Sequence, residues 1–512
     1  MDARKQIQDL TEKAIKDLYG LDFSVQVLRP KEKNRGDYAV SAALEIKVDK
    51  NPYDAAMEIR DVVRDGIFSR VEVVEPGFIN FFLSPSFLKK ELLKEKFDGL
   101  DIGKGKKVQV EFVSANPTGP LTVGNGRGGP FGDVLGNLFK KAGFKVEKAY
   151  YVNNFGKQIL ALGHSILKDS EAKYTGEYID ELALRIKEKD PRVAGQKGAK
   201  IILDEMIKKT IDKLAIKYDE WFSESELHEK GEVDKTIDLL RKKSLVYIKD
   251  GAVWFKTTAF NDERDRVLIK SDGEKTYLAG DIAYHRYKFE KKKFDKVINV
   301  WGADHYGDVL GLKAGAEALG YKDMLDVVLL QFVTVVKEGK PIKMSKRLGT
   351  AITMDDLLEE LSPDAIRFFF LAKAANTHLN FDMDLAKEQS DKNPVYYVQY
   401  AYARICSILK KAGKTKKVNN FDLLTHEREI ELMKQIFRFR EVIEDTVIDY
   451  QLQRVPQYAV DLATSFHGFY QDCQVLTDDE NLKNQRLALV SLVKDALKNV
   501  LDLMGVSAPE EM

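Results

Sequence analysis

The sequence predicts a multidomain α/β protein: a central parallel-sheet domain, a small α+β domain before it and an all-α domain after it. Three observations carry this. Between residues 108 and 152 a strand, a loop crowded with Gly and Pro, a helix and a second strand follow one another, which makes a βαβ unit and the seed of a Rossmann-like parallel sheet. A charged stretch, Lys89 to Lys107, punctuated by Gly99, Gly103 and Gly105, separates that unit from what precedes it. From about Asp355 onward, aromatic and aliphatic residues recur at three- and four-residue spacing, with few glycines or prolines, the pattern of packed helices. The length, 512 residues, also fits about three domains of roughly 150 residues each.

Taken in order, residues 1–95 read as the α+β domain, with amphipathic helices over 3–18 and 52–64, strands near 23–28, 70–75 and 78–83, and a turn at Pro76-Gly77. The central domain is placed at 96–355, with a strand at 108–113, a helix over about 124–142 and a strand at 145–152. From about 160 to 250 the sequence is Lys/Glu-rich and reads as a helical insertion lying outside the sheet. Sheet-like sequence returns at 296–301 and 327–336, with a helical segment between them. Residues 356–512 are read as the all-α domain.

Composition narrows the function classes. Lys plus Arg and Asp plus Glu both number 81, so the formal net charge is zero; that excludes a uniformly basic nucleic-acid coat and leaves local patches open. Cys406 and Cys473 are the only cysteines, which excludes a disulfide framework and a thiolate zinc cluster and fits a reducing compartment. The histidines, at 164, 228, 285, 305, 378, 426 and 467, show no His-x-x-x-His pair, so no structural zinc is expected. Met1-Asp2-Ala3-Arg4-Lys5 leads into a charged helical pattern, and no apolar run approaches the roughly 18 residues of a membrane span. A cytoplasmic monomer without a membrane segment is the expectation.

Two segments carry chemistry. Leu121-Thr122-Val123-Gly124-Asn125-Gly126-Arg127-Gly128-Gly129 lies where a strand hands over to a helix, and free N–H groups there favour an anion while glycines admit a nucleotide. It is neither a P-loop nor a GxGxxG fingerprint. Lys340-Pro341-Ile342-Lys343-Met344-Ser345-Lys346-Arg347-Leu348-Gly349-Thr350 places lysines on either side of a Met-Ser pair, cations suited to charge building up on a departing polyphosphate. Alone, the first is a common strand-to-helix turn and the second a solvated basic loop.

Together they resemble the two signatures of class I aminoacyl-tRNA synthetases; the second is Lys-Met-Ser-Lys-Ser in that class, with Arg347 here in place of the last serine. Within the class, Glu111-Phe112-Val113-Ser114-Ala115-Asn116-Pro117-Thr118-Gly119-Pro120 resembles the arginyl-tRNA synthetase form of the first signature. The likeness continues through Tyr151–Gln158, Asp250–Phe255, Tyr277–His285, Trp301–Gly307, Asp364-Ala365-Ile366-Arg367, Asn393–Ala401 and Ser507–Met512, and it includes Gly36-Asp37-Tyr38 and Gly77–Asn80 in the amino-terminal part. The resemblance implies an arginine–tRNA ligase. Such an enzyme activates L-arginine with ATP and Mg²⁺ to arginyl-adenylate and pyrophosphate, then passes arginine to the 2′-hydroxyl of the terminal adenosine of tRNA(Arg), with activation itself needing bound tRNA.

The resemblance also implies site residues. Pro120, Thr122, Gly124, Asn125, Lys343, Met344, Ser345 and Lys346 would hold ATP, and Thr122, Asn125, Lys343 and Lys346 would be catalytic. The family's His-x-Gly-His is absent: Thr122 and Asn125 stand in its histidine positions, able to hydrogen-bond a phosphate but not to carry positive charge. Tryptophanyl members of the class similarly use Thr-Ile-Gly-Asn. A guanidinium is planar and permanently charged, so its pocket needs carboxylates, and Glu111 and Asp281 are the candidates. By resemblance, Ser114 and Asn116 hold the α-amino end, Tyr277 and Asp281 contact the guanidinium, and Asp304 or His305 closes the pocket. Tyr38 and Asn80 are expected to contact tRNA. Tyr396, Tyr397, Tyr400 and Tyr402, with Arg404, are expected to offer one face to anticodon bases and bury the other. Lysines 410, 411, 414, 416 and 417 read as a solvated loop. Two alternatives stand beside this: another class I specificity, such as cysteine or glutamate, and a catalytically dead paralogue that binds RNA, which the missing histidines would suit.

Overall fold

The structure is a computed structural model that describes residues 3–30, 32–342, 351–413 and 416–512. The chain divides into two compact units, one of residues 1–96, 405–438 and 464–495, the other of 97–404, 439–463 and 496–512. Among the described residues no helix is long and apolar enough to cross a membrane.

In the first unit, the helix Ala3–Tyr19 buries Ile7, Thr11, Ala14 and Ile15, one stripe at three- and four-residue spacing. The helix Pro52–Val62 starts where Asn51 accepts a hydrogen bond from the Tyr53 N–H and Pro52 supplies a preset φ. Beside these helices lies an antiparallel sheet in the order Val27–Leu28, Tyr38–Val40, Phe78–Leu83, Phe68–Val74. The strand expected at 23–28 is only its last two residues, and Tyr38–Val40 was not anticipated; so short a strand leaves too few residues to show a period of two. The outer parts of the long helices Pro394–Ala412, Glu427–Asp449, Arg454–Asp472 and Glu480–Met504 belong to the same unit. Lys434 Nζ pairs with Asp37 at 2.8 Å, and Lys89 Nζ donates to the Asp422 carbonyl at 3.1 Å.

The second unit holds the central sheet: β1 (Lys107–Phe112), β2 (Lys145–Val152), β3 (Glu220–Ser223), β4 (Lys296–Gly302) and β5 (Leu325–Leu330), all parallel and ordered β5-β4-β1-β2-β3. Val108, Val110 and Phe112 of β1 are buried, as a strand at the centre of such a sheet requires. The order runs outward in opposite directions from β1 and β4. The crevice beyond their carboxyl ends is therefore a topological switch point, where ligands of open α/β sheets bind.

Four local expectations need correcting. The stretch 160–250 is not wholly helical or outside the sheet, because β3 forms its edge, with Trp221 stacked on Tyr150 at 4.5 Å. Its end, Val246–Lys249, joins Ala252–Phe255 and Arg266–Ile269 in a separate antiparallel sheet. The single strand read at 327–336 is β5 plus Val333–Lys337, and the latter pairs in parallel with Leu379–Asp382, a strand inside the region read as all-α. Four-residue strands between helices are overridden by their surroundings in any periodicity reading. Finally, the helix expected over 124–142 is two, Val123–Gly126 and Gly128–Lys141. Between them, the fully buried Arg127 donates to the carbonyls of Gln331, Ala374 and Thr377 at 2.6–3.1 Å, and burial pulls its guanidinium down to about 10.

The Asp364–Arg367 segment acts as a joint within this unit. Asp364 accepts from the Ser507 N–H at 3.0 Å and from Gln399 at 2.8 Å. Arg367, fully buried, donates to the carbonyls of Met504 and Leu214 and pairs with Asp133, which also pairs with Lys148.

Candidate active site

The glycine-rich turn is shaped by a sharp exit from β1. Val113 and Ser114 take φ of 66° and 41°, the left-handed region that only a strongly held segment sustains. The hold is visible: Ser114 Oγ donates to Glu111 Oε1 at 3.3 Å and accepts from the Tyr151 N–H at 3.0 Å. Tyr150 and Tyr178 donate to the carbonyls of Ala115 and Thr118. Thr122 then caps the short helix Val123–Gly126, accepting from the Asn125 N–H at 3.4 Å and donating to Asn125 Oδ1 at 2.5 Å. The chain returning from the second signature seals this turn, since Val123 N–H donates to Ile352 O at 2.9 Å and Met354 N–H to Leu121 O at 2.8 Å.

A cavity of about 280 Å³ opens there, lined by Asn116, Pro120, Thr122, Asn125, Ala351 and Thr353 among others. The structure thus brings Asn116, Pro120, Thr122 and Asn125 together. A Cβ on Gly124 would find no neighbour nearer than Thr122 Oγ1 at 3.9 Å, so packing within the protein does not require a glycine there. Lys343, Met344, Ser345 and Lys346 lie outside the described residues.

Beside this turn lies a pocket of buried charge. Glu111 ends β1, Glu224 follows β3, and Asp281 stands in the first turns of the helix Tyr277–Glu290. Glu111 and Glu224 are each only 6% exposed. Burial, then the charges of Glu111, Glu224 and Asp308, push the Asp281 carboxyl up to about 8. Glu224 Oε2, Tyr151 Oη and Tyr284 Oη are buried without a partner, while Glu224 Oε1 lies 3.9 Å from His228 Nε2. Glu224 and Tyr151 converge, for a Cβ on Gly280 would stand 3.5 Å from Glu224 Oε1 and 4.0 Å from Tyr151 Oη. The internal cation is Lys288, fully buried, 2.5 Å from Glu111 Oε2. Unpartnered acceptors and excess negative charge, taken out of water, call for a cationic ligand.

The other expected arginine contacts are more dispersed. Ser114 sits beneath the pocket, against Glu111. Tyr277 is 59% exposed at the pocket's rim. Asp304 and His305 are exposed in the single turn Ala303–Asp308, with His305 Nε2 3.8 Å from Asp304 and Nδ1 3.5 Å from Asp308. Asp308, not anticipated, is the member of that turn whose charge reaches Asp281. Glu224 and Lys288 were also missed. A signal for Glu224 existed, since it directly follows the aromatic strand Trp221-Phe222, and a strand recognised there would have marked its carboxyl end.

Of the expected RNA contacts, Tyr38 and Asn80 are buried in the amino-terminal sheet, Tyr38 with the Arg29 guanidinium 4.7 Å over its ring. Tyr396, Tyr400 and Arg404 are half-buried and form a column on one helix face, the two rings 6.4 Å apart and the guanidinium 4.9 Å over Tyr400. Tyr397 is half-buried beside them, and the opposite face buries Val398, Ala401, Tyr402 and Ile405.

A parallel sheet with its switch point beside a capped, glycine-rich turn, closed by the chain that follows a Lys-Met-Ser-Lys segment, defines a class I aminoacyl-tRNA synthetase catalytic domain. A methionyl-tRNA synthetase from Mycobacterium tuberculosis shares this fold with a TM-score of 0.55 at 9% identity, over 78% of this chain and 92% of that one. The family models are narrower. The arginyl tRNA synthetase N terminal domain matches residues 5–83, the class I (R) tRNA synthetase catalytic domain matches 88–188 and 181–376, and the DALR anticodon binding domain matches 398–512. The arginine–tRNA ligase of Caldanaerobacter subterraneus is 41% identical, covering 100% of this chain and 99% of its own length, and that of Aquifex aeolicus is 40% identical, covering 99% and 100%. The arginyl-tRNA synthetase of Thermus thermophilus superposes over 100% of both chains, with a TM-score of 0.83 at 23% identity. The chain belongs to the arginyl-tRNA synthetase family.

Proposed function

We infer that the chain activates L-arginine with MgATP and charges tRNA(Arg). The observation that supports this reading is the cluster of Glu111, Glu224 and Asp281 next to the nucleotide turn, in which Glu224 Oε2 is buried without a partner, its Oε1 lies 3.9 Å from His228 Nε2, and Asp281 is pushed up by burial and the neighbouring carboxylates. In it, the guanidinium lies between Asp281 and Glu224 beneath Tyr277, and the α-ammonium is held near Ser114, Asn116 and the Glu111 side. The substrate carboxylate then points toward the cavity of Thr122 and Asn125. It attacks the α-phosphate in line, forming arginyl-adenylate and releasing pyrophosphate. Positioning and electrostatics supply most of the rate. Thr122 and Asn125 donate to phosphate oxygens, Pro120 and Gly124 leave room for the nucleotide, and Lys343 and Lys346, with Met344 and Ser345 between them, meet the charge on pyrophosphate. The 2′-hydroxyl of the terminal adenosine next takes the arginyl group. Asp304 or His305 closes the pocket mouth.

Domains 1–95, 96–355 and 356–512 divide the labour, with the Tyr396–Tyr400–Arg404 column and Tyr397 stacking on anticodon bases. The enzyme works as a cytoplasmic monomer. Aminoacylation of total tRNA with each labelled amino acid at fixed MgATP tests the reading: charging with arginine alone is expected, whereas tRNA binding without charging would favour a paralogue whose Thr122 and Asn125 no longer support catalysis. Pyrophosphate exchange with and without tRNA tests whether activation needs tRNA.

A further inference from the structure

The pocket reading leaves one buried charge without a role. Lys288 has no exposed surface, lies under the carboxylates and cannot reach solvent or substrate directly. Its surroundings are ordered. Asp281, His285 and Lys288 recur at four- and three-residue spacing on one face of the helix Tyr277–Glu290. That face meets Glu111 and Asn299, which are register partners on β1 and β4 and so straddle the switch point. Lys288 Nζ lies 2.5 Å from Glu111 Oε2 and 3.4 Å from Asn299 Oδ1, and 4.2 Å from the Tyr284 ring centre. Asn299 Nδ2 donates to His285 Nε2 at 2.9 Å, and His285 Nδ1–H donates to the Asp281 carbonyl at 2.7 Å. Burial and the Lys288 charge hold His285 well below its ordinary value, hence neutral, as this accept-and-donate pattern demands. On the far side, Glu111 Oε1 accepts from Ser114 Oγ. One buried chain of hydrogen bonds therefore runs from the backbone of Asp281 to the turn that leads into the nucleotide loop.

We propose that Lys288 is a positioning residue for arginine: an internal cation that holds the Glu111 side chain in place and, through Asn299 and His285, fixes the helix turn carrying Asp281. This rests on the pocket reading above. The charges that act most strongly on Lys288 are acidic: Glu111 from β1, Asp281 from its own helix and Glu220 from β3, the last paired with Lys292, which also pairs with Glu147 of β2. The phenols of Tyr151 and Tyr284 and the imidazole of His285 complete the surroundings, with Glu224 across the pocket. Remove the ammonium and one charge that opposes the upward shift of the Asp281 carboxyl is lost, so Asp281 takes up a proton more readily. The Glu111 side chain loses its ion-pair partner, and the hydrogen-bond chain through Asn299 and His285 loses its anchor.

The test uses the full-length enzyme, aminoacylating tRNA that the wild type charges, with KM for arginine and for ATP measured between pH 6.5 and 9 (roughly the range in which a carboxyl at the raised Asp281 value titrates). Lys288→Gln, which keeps a donor but removes the charge, is expected to raise arginine KM roughly 10- to 100-fold, as loss of a buried charged partner does. ATP KM should stay within about 2-fold, and the acid limb of log KM for arginine should move to higher pH. A purely structural role would not move that limb. Asn299→Ala, which cuts the link to His285 but spares the ion pair, is expected to raise arginine KM about 3- to 10-fold with the acid limb where the wild type has it, the scale of one neutral hydrogen bond. Unchanged arginine KM in either variant, equal rises for both substrates, or an unmoved acid limb in Lys288→Gln would overturn the proposal. Should Lys288→Gln fail to fold in thermal unfolding, Asn299→Ala alone decides. Failure of the wild type to charge arginine would instead overturn the pocket reading.

Discussion

In the proposed function the two sides of the cleft are built from opposite materials. On the proposed nucleotide side stand Thr122, Gly124 and Asn125, neutral, half-buried to exposed, and carried on a loop and a one-turn helix. On the proposed amino-acid side stand Glu111, Glu224, Asp281 and Lys288, ionisable, buried or half-buried, and carried on strand ends and a 14-residue helix. The contrast follows from what each ligand demands. A polyphosphate is bulky, brings its own cation and changes shape as it reacts, so backbone groups, hydroxyls and amides on a loop suit it. A guanidinium is told from other side chains by charge and plane, and charge discriminates best where water is excluded and the scaffold is rigid. Discrimination between amino acids is thus concentrated where relocation of an atom is most costly. In the proposed function, the positive charge that the nucleotide side lacks is supplied by Lys343 and Lys346.

The largest effect should come from the amino-acid side. Asp281→Asn is expected to raise arginine KM roughly 10²- to 10³-fold, the cost of losing one partner of a buried charge pair, with ATP KM nearly unmoved; equal rises in steady-state aminoacylation would erase the contrast. Next, Lys346→Ala should slow adenylate formation by about 10²-fold, as loss of a transition-state donor does, with arginine KM unchanged in single-turnover measurements. The pH dependence sharpens the contrast further. Asp281 sits near 8 in the empty pocket, so it is increasingly neutral as pH falls below that value, while a cationic ligand binds the ionised form. Arginine KM should therefore climb toward about tenfold per pH unit on the acid side, while ATP KM does not follow; a flat arginine profile from pH 6 to 9 would show that Asp281 is not a ligand. The smallest effect belongs to Thr122→Ala, which removes a neutral hydrogen bond and a helix cap and should reduce kcat about 2- to 10-fold. A loss as large as that of Lys346→Ala would mean that the neutral turn does far more than position phosphate.

The nucleotide turn was legible because its parts are contiguous: Pro120, Thr122, Gly124 and Asn125 lie within six residues, and one strand-to-helix turn displays them together. Asp281 was legible from its motif, but its raised pKa was not, since that depends on Glu224 and Asp308 arriving from other elements. Glu111 was read as a guanidinium partner from its charge, whereas the fold gives it an internal lysine. The burial of Tyr38 and Asn80 was not legible, because burial is decided by what packs against a short strand and not by the strand's own letters. The column of Tyr396, Tyr400 and Arg404 shows the opposite case: four-residue spacing alone places them on one helix face.

By itself the sequence determined the long helices, the βαβ seed, the capped glycine turn and the family, since each depends on residues close together in the chain, where local sterics, capping and period act. Only the tertiary structure decided the strand order, which puts Glu111 and Asn299 side by side at the switch point and brings Glu224 and Lys288 to the same pocket. Electrostatics in a buried site is a sum over groups from separate elements. No single segment contains that sum, and it takes a value only when the sheet has assembled.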